Sequence, residues 1–166
     1  MLTPPPLPPY EGLHPMVVHF PIGILLIAWL PVLIGLVDRS RRGTWLACGG
    51  LLLVLGTAAC FAATLTGNAA ESVVGGMSEA VDQTLNAHQH TGNRARNLFL
   101  LTTVLYMTAW ITCSMVSERK RTVLFVISAV IVACAYVVSA ISLINAAHLG
   151  GVLVHHHGIH APIGVP

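Results

Sequence analysis

Four apolar stretches, each about as long as a helix needs to cross a bilayer, decide what this chain can fold into. They run from Met16 to Val37, Trp45 to Leu65, Asn97 to Val116 and Val123 to Ile144. Their apolar residues come in blocks rather than at the spacing of a half-buried helix or strand, which is the pattern of a membrane span. Of the 166 residues 55% are hydrophobic and 8% charged, whereas a soluble domain carries roughly 25% charged residues. So few charges cannot cover a water-facing surface. The sequence therefore predicts an all-α fold, an integral membrane four-helix bundle of residues 14–149. A Pro-rich arm (1–13) precedes it, and a His/Gly-rich tail (150–166) is expected to lie as an ordered flap over one face.

The short loops orient the bundle. Asp38-Arg39-Ser40-Arg41-Arg42 and Ser117-Glu118-Arg119-Lys120-Arg121 hold six of the eight Lys and Arg residues. Cytoplasmic loops carry such an excess, so both termini and the long loop from Thr66 to Arg96 are expected on the outer, periplasmic-type side. Residues 1–13 carry no basic n-region ahead of an apolar h-region, which excludes a cleaved signal peptide there. Pro21 and Pro31 fall inside the first block, where each removes a helical hydrogen bond and predicts a bend. Glycines and alanines in the second block predict close helix approach. Ser78 precedes Glu79 and a run of helix formers, which predicts an N-cap and a third helix that starts well before its apolar block.

The formal charge of +2 gives no basis for nucleic-acid binding. Cys48, Cys60, Cys113 and Cys134 lie apart in apolar segments, with no CxxC and no CxxCH, and predict packing rather than disulfides or covalent haem. No nucleophile triad, Gly-rich phosphate loop, dinucleotide fingerprint or HExxH occurs. No charged residue lies deep in a span, which argues against an ion path through the bundle.

All nine histidines (His14, His19, His88, His90, His148, His155, His156, His157 and His160) fall at the expected outer end or in the tail. Imidazole is a common ligand of transition metals and haem iron, and four-helix bundles build cofactor sites from facing helices. His88 shares a helical face with Leu85, Gly92, Ala95 and Phe99, where Gly92 leaves room for a flat ring. Arg94 and Arg96 are the cations of that end. They suit either haem propionates or anchoring of the third helix at the interface.

The segment His14-Pro15-Met16-Val17-Val18-His19-Phe20-Pro21-Ile22 resembles the HPxxVHFPI opening of the DUF2231 family of four-helix bacterial membrane proteins. Thr66-Gly67, read as the close of helix 2, is similar to that family's TG. A histidine before helix 3, either His88 or His90, also matches. Gly150-Gly151-Val152-Leu153-Val154-His155-His156-His157-Gly158 resembles its GGxLVYxHG tail, with His155 where the family has Tyr. The resemblance implies a bacterial inner-membrane protein in a redox context, beside Rieske and cytochrome c modules. It singles out His14, His19, His88 or His90, and His157.

Together these readings lead to an expectation of one or two b-type haems near the outer face, in an electron-transfer subunit rather than an independent enzyme. The expected partners are lipid, cytochrome or other redox subunits and quinol. The expected axial pair is His19 with His88 or His157, with His14 serving a second haem or hydrogen-bonding a ligand. A copper or zinc site built on His19, His88 and His157 is the alternative, and a purely structural subunit is the third.

Overall fold

A computed structural model of the chain describes residues 7–74 and 76–160, side chains at 118 and 119 excepted. Residues 1–6 of the Pro-rich arm, Gly75 and residues 161–166 of the expected flap lie outside the described residues. A short 3-10 turn, Tyr10–Gly12, leads into α1 (His14–Val17), α2 (His19–Ile27), α3 (Trp29–Val37), α4 (Arg42–Val74), α5 (Glu79–Met115) and α6 (Glu118–His155). The segments α1, α2 and α3 form one span, and α4, α5 and α6 supply three more, so four helical units are long and apolar enough to cross a membrane.

The first span is interrupted where its prolines demand it. The breaks fall at Val18 and Ala28, each three residues before Pro21 or Pro31. Proline has no N–H for the carbonyl one turn back, and its ring crowds that carbonyl.

The other helices outrun their apolar blocks. α4 continues through Thr66 and Gly67 to Val74, so Thr66-Gly67 does not close helix 2 as expected. Glycine lowers helix propensity only modestly, and Gly67 has a packing role described below. α5 begins at Glu79 under the Ser78 cap, whose hydroxyl accepts from the Val81 N–H at 3.3 Å. α6 runs through Gly150-Gly151 to His155, so the start of the expected flap is helix. Gly158, at φ +67°, ends it, and the Ile159 N–H reaches back to the Leu153 carbonyl at 3.0 Å. A left-handed glycine closed by such a bond is a common helix stop.

The helices pack as two antiparallel hairpins, the first span on α4 and α5 on α6, joined along α4 and α5. Leu25, fully buried, sits where a Cβ on Gly56 would come within 2.5 Å of it. Phe99, also fully buried, lies at the centre of the core and meets Tyr136 edge-on with ring centroids 5.8 Å apart. Small hydroxyls tie the helices across the core: Thr57 to Thr103 at 2.8 Å and Thr102 to Ser139 at 2.9 Å. The Tyr106 hydroxyl donates to the Leu46 carbonyl at 2.6 Å, and that of Tyr136 to the Leu25 carbonyl. In hydrocarbon such groups need an internal partner. All four cysteines are free.

The turn between α3 and α4 is locked by Asp38. Its carboxylate accepts from the Ser40 hydroxyl at 2.6 Å, the Ser40 and Arg41 N–H groups at 3.1 Å each, and the Trp45 indole at 3.1 Å. The Ser40 hydroxyl, the Trp45 indole and the Arg41 N–H hold the carboxyl below its usual 3.8. A depressed folded-state pKa contributes stability above the unfolded value, which is lost as pH falls through the folded value. Asp38→Asn is therefore expected to melt below the wild type at neutral pH, and the two melting curves should converge as the medium is acidified. A gap that stays constant with pH would show that the charge is immaterial.

Candidate functional site

At the end of the bundle opposite the basic loops, the chain assembles two equivalent imidazole seats. His14 lies at the start of the first span and packs against α4. Its Nδ1 lies 2.9 Å from the Ala63 carbonyl and 3.3 Å from the Thr66 hydroxyl. Its ring covers Gly67, where a Cβ would fall 3.0 Å from Cε1. His88 lies on α5 and packs against α6 in the same way. Its Nδ1 lies 2.9 Å from the Ala146 carbonyl, and its ring covers Gly150, where a Cβ would fall 3.1 Å from Cε1. In each seat the carbonyl acceptor stands four residues before the glycine. That spacing is one helical turn, so the missing side chain lies directly along the helix from the accepting carbonyl.

The seats fix the tautomer of both rings. A carbonyl can only accept, so Nδ1 must carry a proton, and in the neutral ring Nε2 keeps its lone pair. Among the described residues neither Nε2 has a hydrogen-bond partner. The two rings, half-buried, lie with centroids 6.0 Å apart at 76°. With metal–nitrogen bonds of about 2.0–2.1 Å, two imidazoles on one ion have centroids roughly 5 Å apart at a tetrahedral angle and roughly 6.4 Å apart on opposite sides. The carbonyl on Nδ1 is also the usual partner behind a ligating histidine, since it fixes the tautomer and strengthens the donor. Gly92, one turn past His88, has nothing within 4 Å of its Cβ position, so space remains on that helix beside the ring.

The other expected ligands lie elsewhere. His19 is exposed, its Nδ1 bonded at 2.6 Å to the Pro15 carbonyl of its own segment. It is not brought to His88 or His157. Five helical positions turn a side chain by about 140°, so when His14 faces α4, His19 faces away. His157 bonds through Nε2 to the Thr84 hydroxyl at 3.1 Å and tethers the end of α6 to the start of α5. His156 stands against it with ring centroids 4.9 Å apart. His90, His148, His155 and His160 are exposed. No cluster of three or more His, Cys, Asp or Glu residues able to hold a metal occurs among the described residues, so His19, His88 and His157 do not converge.

Arg94 and Arg96 also diverge, as two positions turn a helix by about 200°. Arg96 reaches α4, with its guanidinium 5.2 Å above the Phe61 ring and bonded at 3.3 Å to the Thr64 hydroxyl. Arg94 points into a groove toward α6. Near the His pair, the Gln89 amide donates to the Glu71 carboxylate and pins the polar end of α4 to α5.

The residues that sequence reasoning missed are Gly67 and Gly150. Both stand in the segments that resemble family motifs, as TG and GG, but were read as a helix end and as the opening of a flap. Enlarging either should displace a ring without removing it. Gly150→Val is expected to push His88 off the Ala146 carbonyl while leaving the bundle folded. The imidazole Nδ1 nitrogen-15 chemical shift would report that loss, and an unchanged shift would place the ring elsewhere.

A family model described as a predicted membrane protein (DUF2231) matches residues 11–162. No curated protein and no solved structure matches the chain.

Proposed function

The chain belongs to the DUF2231 family of predicted membrane proteins, and from that premise we propose that it is an electron-transfer subunit that holds b-type haem between His14 and His88. The observation that carries this reading is the pair itself. Residues 74 positions apart in sequence present two imidazoles with bare Nε2 atoms, and no third His, Cys, Asp or Glu joins them in a metal-holding group among the described residues. Zinc sites take three or four protein ligands, so this pair is a partial set for zinc. For haem iron two imidazoles are the full axial set, and filling both positions favours electron transfer over oxygen chemistry.

Within that reading each residue has a definite task. Ala63 and Ala146 hold the Nδ1 protons through their carbonyls. Gly67 and Gly150 let the rings lie against the helices. Gly92 keeps space beside His88. Arg96 is occupied by α4, so it anchors the third span rather than holding a propionate. The bound group would supply one-electron chemistry near one membrane face.

The basic loops support an outer position for that face and both termini, by the positive-inside rule. An inner-membrane location fits this orientation. The partners are then a membrane carrier such as quinol and a periplasmic cytochrome or other redox subunit.

A reduced-minus-oxidised visible spectrum of the purified chain, with a pyridine haemochrome assay for stoichiometry, tests the proposal. One low-spin b-type haem per chain is expected. A colourless but folded protein from haem-supplied cells would reject it. Orientation has its own test. In a cysteine-free background, Asn86→Cys should react with an impermeant maleimide on intact spheroplasts and Ser40→Cys only after lysis. The reverse pattern would invert the topology.

A further inference from the structure

Beside the histidine pair, the wall formed by α5 and α6 carries a groove with a graded lining. On α6 it follows His148, Asn145, Ile141 and Val138, spaced by three and four along one face. On α5 the groove is lined by Thr91 and Arg94, and Leu98 and Leu101 continue that stripe in a separate depression on α5 that shares Arg94. The helices are antiparallel, so both stripes run from polar at the histidine end to apolar toward the middle of the span. Two further observations point to a ligand. Arg94 has no hydrogen-bond, ion-pair or ring partner among the described residues, although it is a cation on a membrane helix. Ser142 is 6% exposed, lines the same groove, and its hydroxyl has no hydrogen-bond partner. A buried hydroxyl left unmade is costly, more so in hydrocarbon.

We propose that this groove binds one anionic phospholipid, with its phosphate on Arg94, its glycerol ester region over Ser142 and an acyl chain along Ile141 and Val138. Charge complementarity selects this occupant. A guanidinium matches a phosphate in two parallel hydrogen bonds; a zwitterionic lipid offers the same phosphate but sets its own cation beside Arg94, which offsets the pairing. The groove offers polar side chains and a cation at the histidine end and an aliphatic wall toward the middle of the span, which is the order of head group and acyl chain in a glycerophospholipid. The assignment does not depend on haem. It gives Arg94 a role that simple snorkelling does not, because snorkelling requires no particular head group.

Native mass spectrometry of the full chain, delipidated and then offered dioleoyl phosphatidylglycerol or dioleoyl phosphatidylcholine, tests it. The wild type should retain one phosphatidylglycerol in preference to phosphatidylcholine. Arg94→Gln should weaken phosphatidylglycerol retention roughly five- to tenfold and phosphatidylcholine retention less, so that the preference between the two lipids is lost. Ile141→Trp, on an exposed position that folding tolerates, should fill the groove and reduce both. Millimolar inorganic phosphate should not displace the lipid. Equal retention of the two lipids by the wild type, full retention by Arg94→Gln, or displacement by phosphate alone would overturn the proposal. So would a lipid-free dimer that Ile141→Trp dissociates, since a second copy would then cover the groove.

Discussion

His14→Ala and His88→Ala are each expected to abolish the low-spin b-type spectrum, whereas His19→Ala should leave it in place. The three substitutions remove the same chemical group from the same end of the bundle, so composition does not separate them. Geometry does. The His14 and His88 rings lie edge-on with centroids 6.0 Å apart and free Nε2 atoms, whereas the exposed His19 has its Nδ1 on Pro15. If the pair holds haem, removing either imidazole would leave the iron high-spin or lost, so the expected change in the reduced α-band is close to complete. Pyridine haemochrome content checks loss, and a shift on adding free imidazole checks that a vacancy was made. If the two rings served only to satisfy Ala63 and Ala146, each alanine variant would lose about 1–3 kcal/mol of stability and carry no spectral change. A His19→Ala protein that bleaches would reject the assignment of the pair.

Gly56→Leu is expected to prevent the bundle from forming. A Cβ at that position already falls 2.5 Å from Leu25 Cδ2 and 2.6 Å from its Cγ, and Leu25 is fully buried with nowhere to retreat. One added methyl in a filled core costs about 1–3 kcal/mol, so Gly56→Ala should fold with a lowered melting temperature. A leucine adds three more carbons against α2 and should part the first span from α4. Gly23→Leu is the matched control, for nothing lies within 4 Å of its Cβ position. Size-exclusion profiles and thermal melting in one detergent would compare all three. A monodisperse, stable Gly56→Leu protein would mean that α2 and α4 are not packed as described.

These two predictions mark what the sequence could and could not disclose. Span number followed from hydropathy because hydrocarbon demands long apolar blocks. The Ser78 cap was legible because capping is local chemistry. The early start of α5 at Glu79 was legible with it, but the length of α4 was not, since hydropathy ends at the membrane edge while the backbone of Asn68 to Val74 stays helical in polar sequence. The clustering of histidines at one end was also legible, but their pairing was not. Whether His14 or His19 faces α4 depends on helix phase, and the phase is set by where Leu25 meets Gly56 and by breaks at Val18 and Ala28. Those are tertiary facts. The seats at Gly67 and Gly150 carried a signal in principle, a glycine one turn after a small residue on each even-numbered span. It gains meaning only once a histidine is known to lie across it.

The two seats belong to different hairpins, one on α4 and the other on α6. During synthesis the first hairpin enters the membrane while α6 is still untranslated, so the seat for His14 exists before the one for His88 does. The seam between them is open throughout that interval. If the proposed pair holds haem, the flat group would meet one finished wall and be closed in by the arrival of the second, and a chain whose second hairpin docks too early would close an empty seam.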